Sequence, residues 1–311
     1  MIRNRLAAAA ALLSLCAAAH AAPIAMSAVR AMPGSFGGIA VDSTTGVVYE
    51  TRGYSGTTTI YRYADTAAFE AGVSDGTVAF ADGLFGTYFA ARDGTLYGRS
   101  GSSTGTTVST AGAGAPASAS AAGMGGANGG DTFDWGGYSG VNVMNDGHRL
   151  YVVGGDATSA LWRIATYDYA LNLLGNVTFA FNEAGSCTTA PSNPGFGFAI
   201  EGRILLGDDY CNGGITTMVD AATGSVTAVD HQLTGFAGSY SYLTNAFYDA
   251  RSDSLYVSDL GSGSYYKLAG AAGAFDIEVS AGAVPEPSAL ALSVLALAAA
   301  AAARRRPGMR R

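Results

Sequence analysis

Apolar and polar positions alternate over most of this chain in short runs broken by Gly, Asp and Ser, the period-two pattern of half-buried strands. The pattern repeats. A short apolar strand leads into a tight polar turn, and a second strand follows, centred on an apolar-Tyr pair. The pairs are Val48-Tyr49, Leu96-Tyr97, Leu150-Tyr151, Ile204-Leu205 (Leu in place of Tyr) and Leu255-Tyr256, spaced 48, 54, 54 and 51 residues apart. The turns before them are 42–46, Asp93-Gly94, Asp146-Gly147, Glu201-Gly202 and 249–254. Asp-Gly is a strong hairpin signal because a type I′ turn needs positive φ at both central residues.

A third strand with an aromatic-basic core follows in three units, at Ile60-Tyr61-Arg62-Tyr63, Leu161-Trp162-Arg163-Ile164 and Tyr265-Tyr266-Lys267-Leu268. A fourth is clear around Ala221-Ala222-Thr223-Gly224, flanked by Ile215–Asp220 and Val226–Asp230. Each unit therefore predicts four antiparallel strands in about 50 residues. Such a unit cannot bury both of its faces alone, and stacking units around an axis solves this while hiding strand edges. The pattern resembles β-propeller blades over residues 24–280, and the expected fold class is an all-β propeller. Five blades are countable; six stay open because the second unit is blurred. An extra strand at residues 25–31 is available to complete the terminal blade and close the ring. Residues 101–130 are almost wholly Gly, Ala, Ser and Thr and read as a flexible, low-complexity insertion between blades two and three.

The two ends differ from this body. Arg3 and Arg5 precede an apolar run from Leu6 to Ala19, and Ala19-His20-Ala21 is a small-x-small cleavage signature. Residues 1–21 read as a secretory signal peptide. A lipoprotein reading would acylate Cys16, but Leu15 stands where a small residue is expected. At the other end, residues 281–311 hold Val284-Pro285-Glu286-Pro287-Ser288, then an apolar segment, 288–303, then Arg304-Arg305-Arg306. As a helix the apolar segment would span about 24 Å, short of a ~30 Å hydrocarbon core. The arginines behind it favour the cytoplasmic side.

The order of motif, apolar segment and Arg cluster resembles the PEP-CTERM sorting signal of exported bacterial proteins. That resemblance covers the tail alone, with Pro285, Glu286 and Pro287 as the sorting motif. It implies processing by an exosortase-type membrane protease, with membrane contact through the tail before that step. It also implies a cell-surface or matrix destination in sugar-rich surroundings, so extracellular polysaccharide is the expected ligand.

Composition narrows the body. Between Pro23 and Pro285 there are ten Arg and Lys against 23 Asp and Glu, a net charge near −13. Nucleic acid and anionic lipid are poor partners for such a surface. Eighteen of the 24 acids are Asp, which favours turns and caps over helices. Cys187 and Cys211 remain after signal removal, and a pair in an oxidising compartment predicts one disulfide. The hairpin through Glu201-Gly202 returns both thiols to one end of blade four. No Cys/His cluster has zinc-ligand spacing.

If the first strand of each blade runs down, the Asp-Gly turns lie at the bottom and the loops between second and third strands lie on top. The upper face then collects Asp131, Asp134, Trp135, Asp156, Glu183, Asp208, Asp209 and Asp259. Two readings compete for these acids. They either cap strand ends as Asx turns or hold a ligand, with Ca²⁺ the candidate cofactor because hard cations want several oxygen ligands on loops. Asp156, Asp208, Asp209, Asp259 and Trp135 form the candidate ligand or metal set, Trp135 as a stacking platform. Tyr49, Tyr97, Tyr151 and Tyr256 recur in register and read as packing between blades. His148 and His231 fall at opposite ends of their blades, so a nucleophilic constellation lacks support. The expected role is non-catalytic binding; the alternative is a carbohydrate-active hydrolase or lyase using upper-face carboxylates.

Overall fold

The computed structural model describes residues 22–34, 36–53, 57–100, 107–112, 117–121, 124, 141–156, 161–181, 195–207, 214–238 and 243–278. Within them the body is a propeller of five four-stranded antiparallel blades. Blade I is β3 (Gly38–Val41), β4 (Val48–Thr51), β5 (Thr57–Tyr63) and the first part of β6 (Gly76–Arg92). Blade II is the last part of β6 with β7 (Thr95–Ser100), β8 (Thr107–Gly112) and β9 (Ser118–Ser120). Blade III is β10 (Val141–Asn145), β11 (Leu150–Gly155), β12 (Trp162–Tyr167) and β13 (Leu173–Phe179). Blade IV is β14 (Phe196–Ile200), β15 (Arg203–Gly207), β16 (Gly214–Asp220) and β17 (Val226–Thr234). Blade V is β18 (Leu243–Asp249), β19 (Ser254–Asp259) and β20 (Ser264–Ala269), completed by β2 (Ser27–Ala31).

The repeat expected from the apolar-Tyr pairs is the blade repeat, and each pair lies on the second strand of its blade. Blade II was blurred for a reason. The 17-residue β6 pairs with β5 through Ile60↔Val78 and with β7 through Ala90↔Tyr97, so one strand is outermost in blade I and innermost in blade II. No loop marks the boundary between them. The stretch 101–130 needs a correction, because β8 and β9 lie inside it and supply the third and fourth strands of blade II. Ladder hydrogen bonds do not require bulky side chains, and Val108 with small Ser and Thr neighbours suffices for a strand that packs on one side.

The innermost strands, β3, the end of β6, β10, β14 and β18, pack against one another in a closed circle. They are covered on both faces, so β3, β14 and β18 are buried at every position. Asn side chains tie neighbours in this circle: Ile39 N donates to Asn245 Oδ1 at 3.1 Å, and Asn145 Nδ2 to the Ala91 carbonyl at 3.4 Å. Outer strands face water, as the mostly exposed β13 does.

Ring closure falls to the N-terminal segment, as expected, but it serves two blades. β2 pairs antiparallel with β20 (Ala28↔Tyr266) and completes blade V. Just before it, β1 (Ile24–Ala25) pairs parallel with β17 and adds a fifth strand to blade IV. The Met26 amide bonds the Thr234 carbonyl at 2.8 Å between the two pairings. Gly235 makes room for this crossing: a Cβ there would lie 2.5 Å from the Met26 oxygen.

Candidate functional site

The predicted upper-face set is only partly visible. Asp208, Asp209, Trp135, Asp131, Asp134, Glu183, Cys187 and Cys211 lie outside the described residues, as do Pro285, Glu286 and Pro287. Asp156 and Asp259 are described, and both are engaged in holding their own blades. Asp259 accepts the Gly261 and Ser262 amides at 3.1 and 3.0 Å, closing the turn from β19 to β20. Asp156, buried at the end of β11, is bonded by Arg163 Nε at 2.7 Å and ion-paired with Nη2. Among the described residues no group of three His, Cys, Asp or Glu side chains is placed to hold a metal ion.

The recurring tyrosines are buried between blades. Tyr97 of blade II donates to the Tyr169 carbonyl of blade III at 2.8 Å, and Tyr256 of blade V donates to Glu70 at 3.1 Å. His148 is exposed on the lower face, while the His231 ring meets Phe275 edge-on at 5.3 Å. They share no partner among the contacts described.

On the lower face the hairpin turns interlock. Asp42, at the end of β3, accepts the Thr44 and Thr45 amides of its own turn at 2.9 and 3.0 Å. Its other oxygen accepts the Gly94 amide of blade II at 2.7 Å. Asp146 repeats this arrangement two blades on. It accepts the His148 and Arg149 amides, both at 2.9 Å, then Tyr151 Oη at 2.7 Å and the Gly202 amide of blade IV at 2.8 Å. The receiving turns are the tight ones: Asp93-Gly94 (φ 49° and 74°) and Glu201-Gly202 (φ 47° and 75°), both with two left-handed residues. Burial pushes the Asp42 carboxyl up, but the amides of Gly94, Thr45 and Thr44 outweigh it and hold the group below the usual carboxylate range.

Between blades III and IV this face opens into a cleft of about 590 Å³. Arg149, Tyr151 and Leu174 line it from blade III, and Glu201, Arg203 and Asp220 from blade IV. Asp220 pairs with Arg203 and accepts the Ala222 and Thr223 amides at 2.9 and 3.0 Å. Burial raises its carboxyl, but those amides and Arg203 prevail and keep it below the usual range. Glu201 is different. Its side chain is 10% exposed, its Oε1 is sealed from water, and that oxygen has no hydrogen-bond partner among the described residues. His148 Nε2 lies 3.8 Å from it, within ion-pair reach when the imidazole is protonated but beyond hydrogen-bond range. Buried carboxylate oxygens are normally bonded, and left-handed φ is uncommon for Glu, so two departures from the ordinary coincide at one residue. The sequence carried a small signal here, because Glu201 stands where the other tight turn has Asp93.

The seam between blades V and I is closed. The short helix Thr66–Glu70, capped by Asp65 accepting the Ala68 amide at 2.7 Å, inserts Phe69 against Tyr63, Tyr256 and Tyr265. Beside it the fully buried Glu50 accepts Arg30 Nη2 at 2.6 Å, Arg52 Nε at 3.1 Å, Tyr265 Oη at 2.8 Å and Tyr63 Oη. Burial, followed by the Glu50 charge, pushes the Tyr265 hydroxyl far up, so it remains a donor. Arg30 lies over the Phe69 ring at 4.5 Å.

Comparison with known proteins adds the address. No match is found among curated proteins. Similar solved structures include the glutaminyl cyclase of Myxococcus xanthus (13% identity, TM-score 0.42, 79% of this chain and 97% of that one). The β-propeller domain of Myceliophteria thermophila Cps50 (Swd1) is similar at 9% identity and TM-score 0.39, covering 75% of this chain and 82% of that one. Chaetomium thermophilum Raptor is similar at 9% and 0.36, covering 74% and 19%. At such low similarity none transfers an activity or a ligand. Among the described residues no helix is long and apolar enough to cross a membrane, and the apolar segment 288–303 lies outside them. Residues 283–306 match the PEP-CTERM protein-sorting motif, so the chain carries that motif behind a five-bladed propeller, which implies export and exosortase-dependent processing at the membrane.

Proposed function

We propose that the propeller is a non-catalytic saccharide-binding module, delivered to the cell surface or its polysaccharide matrix by the sorting tail. The observation that carries this reading is the cleft between blades III and IV, where fixed charges and a tyrosine ring meet an aliphatic wall at Leu174. Polar groups that set orientation beside apolar surface are the usual composition of a small-molecule site. The electrostatics favour binding over turnover. Asp220 is held ionised by its amides and Arg203, so it offers no proton to a leaving group, and its bonds leave little freedom to act as a base. The test is a panel of surface polysaccharides incubated with the mature protein. Retention on one or more of them without release of shorter chains is expected; appearance of new reducing ends or unsaturated products would sink the non-catalytic reading.

A further inference from the structure

We infer that the cleft between blades III and IV is selective for an acidic sugar, a hexuronate unit whose carboxylate meets Arg149 while a ring hydroxyl donates to Glu201. This rests on the saccharide reading above and names the class of sugar. Once the Arg203–Asp220 pair is set aside, the cleft lining keeps one cation, Arg149, and one anion, Glu201, that are not paired with each other. Glu201 has His148 at 3.8 Å, outside the lining and charged only when protonated. Arg149 is exposed and has no ion-pair partner among the described residues; Asp168 feels its charge only at longer range. Glu201 is nine-tenths buried with an oxygen that nothing bonds. A ligand complementary to both must bring an anionic group and hydrogen-bond donors together. A uronate does so, with its carboxylate offering two oxygens to a guanidinium fork and its hydroxyls offering donors.

Oε1 is sealed from water as it stands, so a ligand hydroxyl meets the carboxylate through the small exposed part of the side chain or after a turn of its terminal torsion, which is broad in Glu. The Leu174 side of the cleft, on the exposed face of β13, provides contact for the C–H face of a pyranose ring. The net charge of the body, near −13, does not forbid an anionic ligand. At physiological ionic strength charges more than about 8 Å apart are largely screened, so the groups in the cleft decide.

Calorimetry on the full exported protein with trigalacturonate and with neutral maltotriose tests this. Trigalacturonate should bind and maltotriose should bind at least tenfold more weakly, with the uronate affinity falling as salt rises. Arg149→Gln should weaken the uronate by on the order of tenfold, the loss of a charge-assisted hydrogen bond. Glu201→Gln should weaken it as well, with both variants keeping the parent melting temperature to show that they fold. Equal binding of the two sugars would overturn the acidic selectivity while leaving the saccharide reading in place. Uronate binding indifferent to both substitutions would move the site elsewhere and overturn the inference. Binding of alanine, a zwitterion, in preference to either sugar would overturn it too. Failure of every saccharide, neutral or acidic, would remove the proposed function along with it.

Discussion

Two glutamates at the seams between blades have opposite fates. Glu50, at the seam of blades V and I, is surrounded by donors: two guanidinium groups and two tyrosine hydroxyls. Glu201, at the seam of blades III and IV, keeps an oxygen that nothing bonds and faces a cleft. Burial of a carboxylate is tolerable only when hydrogen bonds and opposite charge repay its lost hydration. The first seam repays it internally and is filled by Phe69. The second leaves one carboxylate oxygen unbonded beside the wall of a cleft. The difference teaches that the blade repeat sets where a seam lies, and the insertions between strands set whether it is filled or left open.

Breaking the closed seam should have the largest effect. Glu50→Ala leaves Arg30 and Arg52 without their anion and two hydroxyls without their acceptor, and should cost roughly 3–5 kcal/mol in chemical denaturation. Reducing the proposed Cys187–Cys211 bridge, which would staple the long connection into blade IV, should cost about 3 kcal/mol in the chain-entropy model. It should show as a lower melting temperature; two freely alkylatable thiols in native, unreduced protein would exclude the bridge. Asp146→Ala should cost about 2–3 kcal/mol, because the Gly202 amide and Tyr151 hydroxyl lose their acceptor together. That substitution also loosens the turn that presents Glu201, so it should weaken ligand binding beyond its effect on stability.

Acid should act on the interlocked turns next. The folded Asp42 carboxyl titrates below its unfolded value near 3.9, so its stabilisation is fully present above that pH and is lost as pH falls through the folded value. Melting temperature measured from pH 6 down to pH 2 should fall most steeply below about pH 4, and Asp42→Asn should flatten that fall. The smallest effect belongs to the open seam. Glu201→Gln should change stability by less than about 1 kcal/mol, because no internal bond to Oε1 is lost, whereas the same change at Glu50 should be clearly destabilising. Equal losses at the two glutamates would erase the distinction between the seams.

Much of the scaffold was legible because its signals are local. Asp93-Gly94 and Glu201-Gly202 announce left-handed turns within two residues, and the period-two runs beside them announce strands. The apolar-Tyr pairs gave the blade period because each blade repeats the same packing problem. The third and fourth strands of blade II were hidden, since β8 and β9 are built from small residues whose ladder bonds leave no mark in hydropathy. Asp156 and Asp259 looked like candidates for a ligand because carboxylates at strand ends read alike. Only coordinates distinguish one that closes its own turn from one that waits for a partner.

By itself, then, the sequence determined the blade repeat, the chemistry of the turns and the sorting tail, all signals carried by local stretches of the chain, the longest of them one blade of about 50 residues. Tertiary structure alone decided that the N-terminal segment serves both blade IV and blade V, and that Phe69 plugs one seam while another stays open. It also decided which glutamate is satisfied. The physical reason is distance along the chain: Tyr265 reaches Glu50 across 215 residues, and Gly202 reaches Asp146 across 56. Such pairs obey the geometry of a closed ring, which no local pattern of hydrophobic and polar residues encodes.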